Sequence, residues 1–261
     1  MKLSVVVIVS HEAPEIARAA LAAALDSRTP FPFEVIVVDN AAADAEAKLD
    51  PFRGRVRLVR NPENVGFARA NNGAAVVAAG AVGPLVLNPD GSFQLSCGRP
   101  LSLLSEFLQK AVAARRARRL DLRRLETRQV GWVSGCCLLV RRGDFPSGRV
   151  FDEGIFLYFE DSELCTRLRR AGKKIYFFPG ARIVHLGGAS VKSMPARVAV
   201  EYRRSQLHVY RKHLPKWQLR VLKLYLWLKF RWKLLRSRDE NERTAAFQVL
   251  ELLKRTNNDP T

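Results

Sequence analysis

Acid is what this sequence is short of. Its 261 residues carry 44 lysines and arginines against 25 aspartates and glutamates, a net charge of +19. An excess that large implies attraction to something anionic, whether nucleic acid, acidic lipid or a phosphorylated substrate. Cysteine is scarce too. Cys97, Cys136, Cys137 and Cys165 form no CxxC pair and no disulfide spacing, which favours a reducing compartment. No stretch approaches the roughly 18 apolar residues that a membrane span needs. The apolar run Leu3–Val9 behind Lys2 meets Ser10-His11-Glu12 with no credible cleavage site, so it does not read as a signal peptide. The expected location is therefore cytoplasmic, with attachment to the inner face of the cell membrane open. No internal repeat is visible, and no low-complexity tract beyond an arginine cluster.

What is present is a globular composition, 48% apolar and 26% charged, in a chain long enough for one domain and an appendage. LSVVVIV (3–9) and EVIVVD (34–39) are continuous β-branched runs of the kind buried on both faces of a parallel sheet. An Ala-rich helical segment, Pro14 to Leu25, lies between them. VRLVR (56–60) is a shorter strand, Gly66–Ala79 reads as a helix ending at Gly80, and PLVL (84–87) is a further strand. This order predicts an open α/β sheet whose ligands bind beyond the carboxyl ends of the strands. Those ends carry Ser10-His11-Glu12, Asp39-Asn40 and Asn88-Pro89-Asp90. From residue 130, GWVSGCCLLVRR is a strand-like run with a glycine hinge. KIYFFPGARIVHLGG reads as two short strands about a Pro-Gly turn. The tail from Ala196 is helical and basic.

Several residues have two readings at this point. Asp161 precedes Leu164, Leu168 and Ala171 on one helical face, so it is a natural N-cap; a carboxylate so placed also suits a general base. Asp39 is either a turn former or a nucleotide contact at a buried strand tip. NPENVGFARANNGAA (61–75) offers an Asx turn capping a helix. His185, after a strand and before Gly187-Gly188, is structural or a ligand.

Taken together these pieces resemble the inverting family 2 nucleotide-sugar glycosyltransferases, and among them the bacterial rhamnosyltransferase-like branch. The resemblance rests on VVVIVSHEAPEIARAAL, VVDN at 37–40 and NVGFARANN at 64–72. It continues through FDEGIFLYFEDSELCTRLRRAG at 151–172 and VHLGGAS at 184–190. It implies an α/β A-type glycosyltransferase fold (Rossmann-like) over residues 1–195, with a basic helical extension over 196–261. It implies single-displacement transfer of a sugar, rhamnose foremost, from a dTDP- or UDP-linked donor to a polyprenyl-linked or glycan acceptor of cell-wall polysaccharide or O-antigen. By position, Asp161 would be the base, with Glu160 beside it. Ser10, Glu12, Asp39, Asn40, Asn64 and Asn72 would hold the donor. Asp90 and His185 would hold Mg²⁺ or Mn²⁺, which neutralises the charge of the departing diphosphate.

The chain departs from that pattern in places. Asn88 stands in the first acidic slot of the usual Asp-x-Asp, Glu12 puts an acid near the nucleotide, and Glu163 replaces the second Asp of the ED-x-D block. After Asp90, a helix, a strand and their loops, roughly 30 residues at ordinary element lengths, are missing. LVLNPDG is then either the acidic turn itself or a later strand and loop, with the metal turn lost. A catalytically silent relative is accordingly the alternative to an enzyme. In the tail, PKWQLRVLKLYLWLKFRWKLLRSR (215–238) carries eight cations and no acid. Helical spacing sets Lys216, Arg220 and Lys223 opposite Val221, Leu222 and Tyr225. The segment reads as a bundle helix or as a binder of an anionic membrane surface. A nucleic-acid-binding protein fits the charge alone; no specific nucleic acid is expected, since no recognised binding motif accompanies the clusters.

Overall fold

The computed structural model describes residues 4–10, 14–27, 33–41, 50–52, 54–66, 81–109, 122–140, 142–186 and 195–258. In chain order these form β1 (Ser4–Ser10), α1 (Pro14–Leu25), β2 (Phe33–Asn40), β3 (Arg57–Asn61), β4 (Ala81–Leu87), β5 (Cys97–Gly98) and α2 (residues 103–109). There follow β6 (Arg128–Val130), β7 (Trp132–Val133), β8 (Leu139–Val140), α3 (Glu160–Arg170) and β9 (Ile175–Val184). The chain ends in three long helices, α4 (Pro195–His213), α5 (Lys216–Arg236) and α6 (Glu240–Asn258).

The β-branched runs do what they predict. Strands β1, β2 and β3 pair in parallel, and Val35 to Val38 of β2 are buried because both faces of the strand are covered. Leu21 of α1 packs with Val35, Val37 and Phe52 on one of those faces. The register brings Ser10 opposite Asp39, and Asn40 opposite Asn61, so three strand ends finish together.

A second sheet has the order β6-β9-β4-β8, with β4 and β9 parallel and the outer pairs antiparallel. Among the described residues no ladder joins β1 to β4, so these two sheets are separate, and β5 pairs antiparallel with β7 in a third. The expected helix over 66–79 falls almost wholly outside the described residues.

Two sequence expectations need correction. The segment expected as two strands around Pro179-Gly180 is one ten-residue strand, β9, whose register with β4 jumps from Phe178 to Arg182. Proline donates no ladder hydrogen bond, so the sheet absorbs it in a bulge rather than ending there. Conversely, GWVSGCCLLVRR is not one strand: β7 and β8 are separated by a turn through Gly135-Cys136.

The downstream core is built by Leu85, Val133, Phe151, Leu164, Ile175 and Phe177. A second core, with Leu207, Tyr210, Leu222, Leu226, Phe230 and Val249, holds α4, α5 and α6 together. In α5, Val221, Tyr225 and Leu222 lie on the side away from Lys216, Arg220 and Lys223 as the spacing predicts, but only Leu222 of the three is buried. The face turned to the bundle is the i, i+4, i+8 row Leu222, Leu226, Phe230.

Candidate active site

The site begins where the first sheet ends. Asp39 is buried at the tip of β2, and Asn40 behind it is almost fully enclosed. Asn40 Nδ2 donates to Asn64 Oδ1 at 2.7 Å, while Asn40 Oδ1 accepts from Asn61 Nδ2 at 3.0 Å and from the Val65 N–H at 3.2 Å. Asn64 Oδ1 also takes the Gly66 N–H at 3.0 Å, an Asx turn. These amides clamp the loop after β3 onto the end of β2. Gly66 must be glycine there: its φ is +82°, and a Cβ would lie 2.6 Å from the Phe156 carbonyl oxygen. The asparagine loop is thereby laid directly on the segment that leads into α3.

That segment is strained. Tyr158 and Phe159 have φ of 63° and 66°, a left-handed conformation that costs on the order of 1–3 kcal/mol for each such residue. Helix α4 holds them. Tyr202 meets the Phe159 ring edge-on at 5.0 Å and the Tyr158 ring at 5.5 Å, and Ser205 Oγ donates to the Leu157 carbonyl at 2.7 Å. The N-cap of α3 is Phe159, with no side-chain cap bond, and not Asp161 as expected; Asp161 is the helix's second residue. Its carboxylate is thus released from capping duty.

Glu160 and Asp161 form a tightly coupled acidic pair. Glu160 is buried, and Oε2 has no hydrogen-bond partner. Burial, and then the charge of Asp161, push its carboxyl up to about 8. Burial also raises Asp161, but here donors oppose it. The Gly135 N–H reaches Oδ2 at 3.0 Å, and Oδ1 accepts from the Ser162 N–H at 2.6 Å and Ser162 Oγ at 3.2 Å. The donors on Asp161, set against the unpartnered Glu160 Oε2, favour the charge on Asp161 and the proton on Glu160.

Two residues on, Glu163 is fully buried and takes hydrogen bonds from Lys212 at 2.8 Å, His213 at 3.0 Å and Arg167 at 3.0 Å. Asp152 is bound by Lys212 at 2.7 Å and His208 at 2.8 Å. Arg170 Nη1 lies 3.1 Å from His213 Nδ1, so that nitrogen must accept and Nε2 must carry the hydrogen given to Glu163. Neither sequence pattern nor composition singled out this lattice between α3 and α4.

Asp90 lies at the tip of a hairpin. Leu87 and Phe93 form an antiparallel bridge, the Asn88 N–H donates to the Ser92 carbonyl at 2.8 Å, and Asp90 Oδ1 accepts from Ser92 Oγ at 2.6 Å and its N–H at 2.9 Å. Those bonds hold its carboxyl below the ordinary value. At the base of the same hairpin the His185 N–H donates to the Leu87 carbonyl at 2.9 Å, and His185 Nδ1 meets Gln94 Oε1 at 2.8 Å. The amide oxygen requires Nδ1 to be the donor, which leaves the Nε2 lone pair as the ligating one. Burial keeps the ring neutral by lowering its pKa. Among the described residues no three His, Cys, Asp or Glu side chains come together as a metal cage. A cation held at Asp90 or His185 would have to bring most of its oxygen ligands with it, as Mg²⁺ bound to a diphosphate commonly does. Glu12 and Asn72 lie outside the described residues, and Ser10 is placed only as the last rung of β1.

With this geometry in view, residues 4–94 match the model of glycosyl transferase family 2. The chain is a relative of the family 2 glycosyltransferases. Over 151 residues it is 34% identical to an N-acetylglucosaminyl-diphospho-decaprenol L-rhamnosyltransferase of Mycobacterium tuberculosis, across 54% of this chain and 48% of that one. Over 56 residues, 22% of this chain and 21% of the other, it is 41% identical to the rhamnosyltransferase WbbL of Escherichia coli. The chain thus spans about half the length of the first of these relatives. Among solved structures, the mannosyltransferase PcManGT of Pyrobaculum calidifontis aligns with 99% of this chain and 76% of its own, at 16% identity and a TM-score of 0.49. The α/β fold of the A-type glycosyltransferases, expected from the motifs, is the fold of this rhamnosyltransferase-like chain.

Proposed function

We propose that this glycosyltransferase relative transfers a sugar from a nucleoside diphosphate to an acceptor hydroxyl, with Asp161 as the base. The observation that carries the reading is the acid pair opening α3, in which the Gly135 N–H and the Ser162 N–H and hydroxyl fix both oxygens of Asp161 while Glu160 Oε2 beside it has no partner. Such a carboxylate accepts the acceptor's O–H proton as that oxygen attacks the anomeric carbon. In one displacement the bond to the diphosphate breaks from the opposite face and the configuration inverts. The Gly135 and Ser162 donors aim Asp161, and the strained turn fixes the start of its helix. Asp39, next to Ser10 and the Asn40–Asn64 clamp, would contact the nucleoside. Asp90 and His185 would hold Mg²⁺ or Mn²⁺, which when bound neutralises charge on the leaving group.

The relatives' names supply two finer terms, rhamnose as the sugar and a diphospho-polyprenol-linked sugar as acceptor; the dTDP- or UDP-linked donor is what the motif resemblance implies. The test is transfer of labelled rhamnose from dTDP-rhamnose to N-acetylglucosaminyl-diphospho-polyprenol with Mn²⁺. Wild type should transfer, and Asp161→Asn should lose transfer while calorimetry still detects the nucleotide. A wild type that neither transfers nor hydrolyses any nucleotide sugar, and binds none, would leave a silent relative and end the enzyme reading.

A further inference from the structure

Helix α5 is apolar on two opposite sides. One side, Leu222, Leu226 and Phe230, is buried in the bundle. The other is bare: Trp217 is 59% exposed, Leu224 59%, Leu228 54%, Trp232 62% and Leu235 75%. At about 100° per residue these positions fall within one stripe opposite the buried row. A helix apolar on both sides calls for a second covering.

Charge indicates which covering. Residues 216–238 hold eight cations and no acid. Along the helix the guanidinium of Arg231 lies 5.5 Å from the Trp227 ring and that of Arg236 lies 5.9 Å from Trp232, so the charges are carried beside the aromatic rings. A second copy brought face to face would press like charges together, whereas an anionic bilayer accepts both the rings and the cations. No helix among the described residues is long and apolar enough to cross a membrane, so α5 would lie in the plane of the surface. Helix α2 adjoins the same end, where the Leu103 N–H donates to Gln218 Oε1 at 3.0 Å. It carries two further bare side chains, Leu104 at 67% and Phe107 at 72%.

We infer that the outer face of α5 is a docking surface for an anionic lipid bilayer. The inference adds to the transferase reading a reason for the face, since a lipid-linked acceptor lies in that plane, but its test needs no substrate. Full-length protein is mixed with vesicles of phosphatidylcholine with or without 30% phosphatidylglycerol, a composition of roughly physiological surface charge. Binding is read by co-sedimentation and by the blue shift of tryptophan fluorescence. The expected result is binding to the anionic vesicles only, weakened about tenfold or more between 0.1 and 0.5 M salt. The double variant Trp217→Ala, Trp232→Ala should lose about tenfold in vesicle affinity, with an unchanged thermal melt because both rings are exposed. Equal binding to neutral vesicles, or undiminished binding by the double variant, overturns the inference. So does a dimer in sedimentation that the double variant abolishes, or duplex DNA bound more tightly than vesicles through the same residues. If vesicles are ignored but sugar is transferred, only this inference falls; if vesicles are bound and no sugar moves, only the transferase reading falls.

Discussion

Replacing Glu163 with glutamine keeps the shape of a side chain at the centre of the α3–α4 lattice and removes its charge. Burial by itself opposes ionisation of this carboxyl, yet hydrogen bonds from His213, Arg167 and Lys212 hold it at about 2, against an ordinary 4.5. Because the folded value is depressed, the stabilisation is fully present above pH about 4.5 and is lost as pH falls toward 2. The gap between 4.5 and about 2, at roughly 1.4 kcal/mol per pH unit, corresponds to about 3 kcal/mol at pH 7. By pH 3 the same linkage leaves only about 1 kcal/mol. Arg167 and Lys212 are 33% and 40% exposed, so glutamine strands no fully buried cation and the loss should not grow beyond this. Urea unfolding of wild type and Glu163→Gln at pH 7 and pH 3 measures the difference directly, and other titrating groups cancel in the comparison. A difference equal at the two pH values, or below about 1 kcal/mol at pH 7, would refute the lattice as described.

Glu160 should behave with the opposite sign. Its carboxyl is raised to about 8 in the fold, so the fold is penalised as pH rises above about 4.5. Glu160→Gln should therefore melt progressively higher than wild type between pH 5 and 8 and then level off; a difference independent of pH would contradict the proton's placement. Gly66→Ala should cost about 2 kcal/mol or more, since it forces an alanine to φ +82° and sets its Cβ against the Phe156 carbonyl. Denaturant unfolding reads this, and an unchanged midpoint would mean that the asparagine loop does not rest on that segment.

The apolar strands were legible, because a continuous Val/Ile run has few other uses: β1, β2 and the end of β4 stand where the runs place them. The candidate block stood out as well, for FDEGIFLYFED is too dense in acids and aromatics for an ordinary surface turn, and it carries the adjacent acids Glu160 and Asp161. What the sequence hid is what depends on distant partners. The proline that suggested two strands is absorbed in a bulge, because β4 runs alongside on both sides of it. Asp161 looked like a cap because local propensity favours Asp there, yet Tyr202 and Ser205 of α4 hold Phe159 in that position instead. The Gly135 N–H that orients Asp161 was visible only as a glycine hinge. The Glu163 lattice spans about 50 residues of chain, a separation at which no periodicity speaks.

Helix α4 joins two parts of the molecule. Through His208, Lys212 and His213 it anchors the block that carries Asp161, and through Leu207 and Tyr210 it is part of the bundle containing α5. It packs against both, so opening either one would uncover a face of α4. Cutting the chain after Leu214 would not release a smaller enzyme; it would uncover the far side of α4 and loosen the strained turn on its near side. The basic extension and the acid pair are thus joined through one helix, and a perturbation at the bare face of α5 has a packing route, one helix wide, to the turn before Asp161.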